Sequence, residues 1–170
     1  MEKVFEVLNQ MVRDGAIENY AVADAIGAMF YIEAFSTQDI GVLTLMPKST
    51  SGLIAELPGW KYLKEHGYTE IRGEAIVVEG WPLQLLPASD ALEREAYLSA
   101  ETVNYDGTRV RVVLGEHLVA IMLKVGRLKD YARIQAFLSQ DAVDIERLEE
   151  IIDRHGLESK WAEFRERFLG

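Results

Sequence analysis

The chain has 170 residues and a formal net charge of −10, since 28 acidic residues outnumber 18 basic ones. Half of the residues are hydrophobic (49%), so one domain with a sizeable core can form. The acidic balance argues against non-specific binding to nucleic acid, and the absence of cysteine excludes disulfides and thiolate metal sites.

Hydrophobic periodicity predicts an α+β core over residues 1–115 and a helical region over residues 116–170 that packs against it. In the core, the predicted elements in chain order are a helix over 4–12, a strand over 20–23, a helix over 24–34, a strand over 39–46, a helix over 53–66 interrupted at Pro58, strands over 68–72, 75–79 and 81–86, a helix over 90–98 capped by Ser89, and a hairpin of strands 102–105 and 109–113 turning at Asp106-Gly107. Beyond the core, helices are predicted over 116–127, 130–139, 145–154 and 160–168. We expect a mixed, mainly antiparallel sheet with helices on one side.

The hydropathy of the chain gives an expectation about its location. No stretch is apolar for long enough to cross a bilayer, and the first 15 residues lack the apolar segment of a signal peptide. We therefore expect a cytoplasmic protein with no membrane partner.

Two segments near the N-terminus, over residues 20–28 and 37–42, resemble the signature of the nucleotidyltransferase superfamily. In that family a strand ends in Gly-Gly or Gly-Ser before a helix, and a Thr-x-Asp-x-Asp segment opens the next strand. The glycines let the backbone approach a triphosphate closely. Two carboxylates spaced i, i+2 on a strand lie on one face, where they hold magnesium during nucleotidyl transfer.

The second half of the chain extends the resemblance to the abortive-infection and toxin–antitoxin branch of that superfamily. Residues 78–87 resemble its third core strand. Residues 116–123 and Gly126-Arg127-Leu128-Lys129-Asp130 resemble its helix and Gly-Arg-x-Lys-Asp turn. The similarity covers residues 18–157, and the ordered combination of motifs is more specific than either motif alone.

The resemblance implies a nucleotidyltransferase-like mixed sheet, a nucleotide triphosphate ligand, Mg²⁺ and a protein partner. It assigns Asp39 as the first metal carboxylate and the catalytic residue. It also assigns nucleotide contacts to Asp24, Thr37, Arg127 and Lys129.

The chain departs from the superfamily pattern at positions that the chemistry uses. A single carboxylate is a poor magnesium site, because it shares too little of the charge of the metal. An alternative alignment places the glycine motif at Gly27-Ala28, but it does not restore the second aspartate. The departures are Ala23-Asp24 in place of the paired glycines, Gly41 at the second metal carboxylate, Gln84 at the third, and Met122 where related helices carry a phosphate-directed lysine.

Glu33 is a candidate to replace the missing metal carboxylate. Plainer structural roles also compete with the site assignments. The competing roles are a helix N-cap for Asp24, a strand-edge position for Asp39, a turn position for Thr37, and a local ion pair between Lys129 and Asp130.

Three functions follow from these alternatives. The first is a nucleotidyltransferase-like protein with impaired catalysis that acts through binding, as a member of a toxin–antitoxin or phage-defence system. The second is an active magnesium-dependent enzyme that modifies a hydroxyl of a protein or RNA. The third is a protein-interaction module without a nucleotide site. One fold hosts many activities, so the resemblance informs the fold more than the function.

Overall fold

The computed structural model describes residues 1–33, 37–45 and 58–170, which form a seven-stranded sheet with helices packed around it. The strands are β1 (Ala21–Val22), β2 (Ile40–Thr44), β3 (Ile71–Arg72), β4 (Ala75–Val78), β5 (Trp81–Pro87), β6 (Glu101–Tyr105) and β7 (Thr108–Val112). The described helices are α1 (Glu2–Arg13), α2 (Asp24–Ala28), α3 (Pro58–Glu65), α4 (Ala91–Ser99), α5 (Gly115–Val125), α6 (Leu128–Ser139), α7 (Ile145–Arg154) and α8 (Glu158–Phe168).

The strand order of the sheet is β3-β4-β5-β2-β1-β7-β6. Two neighbouring pairs, β2 with β5 and β1 with β7, are parallel, and the other four pairs are antiparallel. The prediction of a mixed, mainly antiparallel sheet is therefore confirmed. Residues from Gly115 onward form only helices, and none of the described helices is long and apolar enough to span a bilayer.

Helices cover both faces of the sheet, so the expectation of helices on one side is wrong. Helix α1 packs on one face in a cluster that includes Val22 and Val42. Helices α4 to α8 contribute to a second cluster, which contains Ala21 and Leu43 from the same two strands. Successive side chains of a strand point to opposite faces, so a strand that is apolar at every position requires cover on both.

Several element boundaries differ from those predicted. Helix α2 ends at Ala28, and residues 46–57, which include the first part of the predicted 53–66 helix, lie outside the described residues. Asp90, rather than Ser89, caps α4 by accepting a 2.9 Å hydrogen bond from the amide of Glu93. The predicted turn between β6 and β7 is confirmed, and Asp106 and Gly107 both have positive φ angles, of 48° and 92°.

The side chain of Glu95 on α4 joins three elements of the helical face. It accepts hydrogen bonds from Arg154 at 2.6 Å, from His155 at 2.6 Å and from the buried His117 at 3.1 Å. These bonds, that of Arg154 first, lower the pKa of Glu95 to about 2. A carboxylate whose pKa is lower in the folded chain than in the unfolded one stabilises the fold above its unfolded pKa.

We expect Glu95→Gln to lower the free energy of unfolding at pH 7 by about 1–3 kcal/mol, because charge-assisted hydrogen bonds are lost. The difference from the parent should shrink as the pH falls from 4.5 toward 2, since the parent then loses the same charge. Chemical denaturation across this pH range measures it, with Glu158→Gln, an exposed position on α8, as the control. A difference that does not change with pH would contradict the role of the Glu95 charge.

Candidate functional site

The candidate site is built around Gly41, the second residue of strand β2. Asp39 immediately precedes the strand and lies two residues before Gly41, so both positions are on the same face of the sheet. In the parallel pairing of β2 with β5, Gly41 lies opposite Gln84. The three positions that the superfamily pattern assigns to metal carboxylates are therefore neighbours, and only Asp39 carries a carboxylate.

The space beside Gly41 is filled by the side chain of Asp24, from the start of helix α2. A Cβ atom added to Gly41 would lie 2.7 Å from Oδ2 and 3.4 Å from Cβ of Asp24. The amide of Ala23 donates a 2.8 Å hydrogen bond to the carbonyl of Gly41, which holds the two segments together. Any side chain at position 41 would therefore have to displace the carboxylate of Asp24.

The backbone of Asp24 has the left-handed conformation that favours glycine, with φ of 51°. The N-cap of α2 is Ala23, so the predicted N-cap role of Asp24 is wrong. A glycine adopts this conformation without strain, whereas an aspartate adopts it at some cost.

The charge of Asp24 is only partly compensated. Burial raises the pKa of Asp24; the positive charge of Arg127 opposes this shift, and the negative charge of Asp39 adds to it. Asp24, Asp39 and Arg127 therefore lie close enough for their charges to interact, and they form one neighbourhood. The ionised form of Asp24 is therefore less favourable in the folded chain than in water.

Two cavities open next to this neighbourhood, and Gln84 lines both. The sheet–helix cleft, of about 400 Å³, lies between the sheet and α5, with Asp24 and Arg127 in its wall. The hairpin cleft, of about 740 Å³, lies on the side of β3 to β5 and has Asp39 in its wall. The apolar wall of the sheet–helix cleft consists of Leu43, Leu86, Leu118, Ile121, Met122 and Val125.

Arg127 is held at the mouth of the sheet–helix cleft by Asp130. Its Nε donates to Oδ2 of Asp130 at 2.8 Å, and its Nη2 donates to Oδ1 at 3.1 Å. The side chain of Asp130 is only 1% exposed, and it also accepts a hydrogen bond from the amide of Arg127. These bonds raise the pKa of Arg127 and fix the orientation of its guanidinium.

The remaining predicted site residues lie apart from the sheet–helix cleft. The hydroxyl of Thr37 donates to Asp39, at 3.3 Å to both the backbone oxygen and Oδ1, as a turn residue does. Lys129 is exposed and is not in the wall of either cavity, and Asp130 pairs with Arg127 rather than with Lys129. The predicted Lys129–Asp130 pair is therefore wrong.

Two carboxylates near the site were missed by reasoning from the sequence. Oε2 of Glu74 accepts a 3.0 Å hydrogen bond from Nε2 of Gln84, so a carboxylate reaches the third position from the turn between β3 and β4. Glu93 lines the sheet–helix cleft and is paired at 2.8 Å with Lys124. Gly73 predicts the turn that contains Glu74, but no local sequence pattern predicts which residue the side chain of Glu74 contacts.

Gly27, the alternative position for the glycine motif, has a packing role. A Cβ atom there would lie 3.0 Å from the carbonyl oxygen of Val22 and 3.4 Å from Cδ2 of Leu118. This glycine lets α2 approach β1 and α5, and it lies inside the helix rather than at the site.

The donor set of the site does not fit a magnesium ion. Magnesium prefers an octahedron of oxygen ligands, with carboxylates that neutralise its charge. Here the strand offers Asp39 alone, and the carboxylate of Asp24 comes from α2 and interacts with the guanidinium of Arg127. The third position is an amide whose NH₂ group is bonded to Glu74. Among residues 1–33, 37–45 and 58–170, no three Asp, Glu or His side chains are placed to hold a metal.

Comparison with known proteins supports a nucleotidyltransferase-like fold. The chain is similar to the crystal structure of an antigenic nucleotidyltransferase-like protein from Paracoccidioides brasiliensis, with a TM-score of 0.57 and 16% sequence identity over 82% of this chain and 74% of that one. No protein-family model and no curated protein sequence matches the chain. The predicted fold class, a nucleotidyltransferase-like α+β sheet with C-terminal helices, is thereby confirmed.

We expect Asp24→Asn to raise the free energy of unfolding at pH 7 by about 0.5–1 kcal/mol, because it removes a partly buried charge and asparagine tolerates the left-handed backbone. The raised pKa of Asp24 means that the parent regains this stability by binding a proton as the pH falls. The gain should therefore vanish below the unfolded pKa of 3.8. Thermal unfolding against pH measures the effect, and a variant less stable than the parent at pH 7 would contradict it.

We expect Gly41→Asp alone to destabilise the chain by about 2 kcal/mol or more, because the new side chain overlaps Asp24. The double variant Gly41→Asp with Asp24→Gly should recover most of the loss, since it clears the space and suits the left-handed backbone. A double-mutant cycle of unfolding free energies measures the coupling. Additive effects would show that the two side chains do not compete for one space.

Proposed function

We propose that the chain is a nucleotidyltransferase-like protein that binds a nucleotide in the sheet–helix cleft and has impaired catalysis. The observation that carries the proposal is the side chain of Asp24 in the space where the strand would need a second carboxylate, at Gly41. The proposed nucleotide binding rests on the sheet–helix cleft. The proposed impairment of catalysis rests on the position of the second carboxylate, which belongs to Asp24 on α2 and not to the strand.

Nucleotidyl transfer depends on positive charge placed where negative charge develops in the transition state. A pair of strand carboxylates fixes a metal at that point because the sheet holds both. In this chain one of the two carboxylates comes from the five-residue helix α2 and carries an unfavourable charge of its own. Removing one preorganised electrostatic partner commonly costs about a hundredfold or more in rate.

The shape and lining of the sheet–helix cleft suit a nucleoside. Its volume of about 400 Å³ lies in the range of small-molecule sites. One wall is apolar and can pack against a base, while Asp24, Gln84 and Arg127 offer polar groups for the ribose and phosphate. Such a division between an apolar wall and a few polar groups is typical of ligand sites.

We further propose that the chain acts with a protein partner, as a member of a toxin–antitoxin or phage-defence system would. This part rests on the resemblance of the Gly126-Arg127-Leu128-Lys129-Asp130 turn to that branch of the superfamily. Leu128 in this turn is 77% exposed, and Val125, which lines the cleft, is 48% exposed, so apolar side chains are open to solvent in and near this turn. Leu128→Asp should weaken association with the partner and leave the cleft intact.

The test is calorimetric titration with the nucleoside mono- and triphosphates of all four bases, followed by a label-transfer assay with radiolabelled triphosphates and cell extract. We expect at least one nucleotide to bind with a dissociation constant on the order of micromolar, and no label transfer. Val125→Trp should block binding by filling the cleft, and Leu98→Trp, an exposed position on α4, is the control.

The outcomes separate the three functions. Transfer of label by the parent would show an active enzyme and overturn the impairment. No binding of any nucleotide would favour an interaction module without a nucleotide site. In the double variant Gly41→Asp with Asp24→Gly, we expect higher affinity for magnesium and for nucleotide triphosphate, because the carboxylate returns to the strand.

A further inference from the structure

The position of one cation in the sheet–helix cleft bears on which nucleotide the cleft takes. Arg127 and Asp24 line the same cavity, and the space at Gly41 is filled by the carboxylate of Asp24. The donor set around Gly41 does not fit magnesium. A phosphate entering this cleft therefore meets the guanidinium of Arg127 rather than a metal ion.

Arg127 is prepared to bind an anion. Its bonds to Asp130 use Nε and Nη2, and therefore leave both N–H groups of Nη1 unused by that carboxylate. Since Asp130 is buried, the guanidinium is already ordered before a ligand arrives, which reduces the entropy that binding costs. Half of the Arg127 side chain (49%) remains exposed.

The charges near the cleft limit how much negative charge a ligand can bring. Three carboxylates, those of Asp24, Asp39 and Asp130, face two cations, Arg127 and the buried Arg133, so the neighbourhood is already negative. A phosphate monoester adds about −1.5 to −2 charges near neutral pH, which the free N–H groups of Arg127 must offset. A triphosphate adds more negative charge, so without a metal ion the repulsion from Asp24 is larger for a triphosphate than for a monophosphate.

On the basis of the proposed nucleotide site, we propose that the cleft takes a nucleoside monophosphate, whose phosphate binds Arg127 without a divalent cation. The apolar wall holds the base, and the phosphate lies at the mouth of the cleft. Where the superfamily uses a divalent metal ion from solution, this chain uses the guanidinium of Arg127, which Asp130 holds in place.

The experiment is calorimetric titration of the full chain with AMP, GMP, CMP and UMP, with the matching triphosphates and with the unphosphorylated nucleosides. Each titration is run in excess magnesium and again in EDTA. We expect one monophosphate to bind equally well in both buffers, and to bind about tenfold or more tightly than its triphosphate and its nucleoside.

The variants test the role assigned to Arg127. Arg127→Ala should lower the affinity for the monophosphate by about tenfold or more, down to that of the nucleoside. Arg127→Lys keeps the charge without the planar fork and should fall between the two. Arg94→Ala, an exposed position on α4 outside both cavities, should bind as the parent does. Circular dichroism confirms that each variant is folded.

The outcomes distinguish this inference from the proposed function. Binding of a triphosphate that is lost in EDTA would keep the nucleotide site and overturn metal-free recognition of a monophosphate. Nucleoside affinity equal to monophosphate affinity, or no effect of either Arg127 variant, would also overturn it. If no nucleotide or nucleoside binds at all, the proposed function itself fails.

Discussion

The structure of the site depends on the close approach of helix α2 to strand β2, which leaves room for one side chain between Asp24 and Gly41. Oδ2 of Asp24 lies 2.7 Å from where a Cβ of residue 41 would be, and a 2.8 Å backbone bond from Ala23 to Gly41 prevents the two segments from moving apart. In this chain the carboxylate stands at the start of α2 and the glycine on β2. Exchanging either residue alone would leave two side chains or none in the space between them.

Local patterns in the sequence were enough for most of the architecture. The Asp106-Gly107 turn and the apolar runs of β2 and β5 predicted their elements, because turn chemistry and hydrophobic period act over a few residues. Cover on both faces of the sheet was missed, although the run Ile40–Thr44 is buried at every position and so requires it. The uninterrupted apolar run of this strand was the signal for cover on both faces.

The site was less accessible from the sequence, because its geometry depends on contacts between distant segments. The resemblance correctly brought Gly41 and Gln84 together as neighbours on adjacent strands. It treated Asp24 and Gly41 as separate departures from the pattern, whereas the side chain of Asp24 fills the space beside Gly41. The hydrogen bond from Gln84 to Glu74 was missed for the same reason. The sequence of a turn predicts the turn but not the direction in which its side chains point.

The position of a charge matters more for catalysis than the number of charges. The cleft retains a carboxylate near the second metal position, but Asp24 is attached to a five-residue helix and lies in a strained, partly buried setting. Transition-state stabilisation requires groups that are already oriented, and the strand provides that orientation whereas this helix end does not. Binding a base and a phosphate requires less, since an apolar wall and a few oriented polar groups are typical of ligand sites. The chain combines a nucleotidyltransferase-like fold and an open cleft with a strand that carries no carboxylate pair, and the proposal of binding with impaired catalysis rests on this combination.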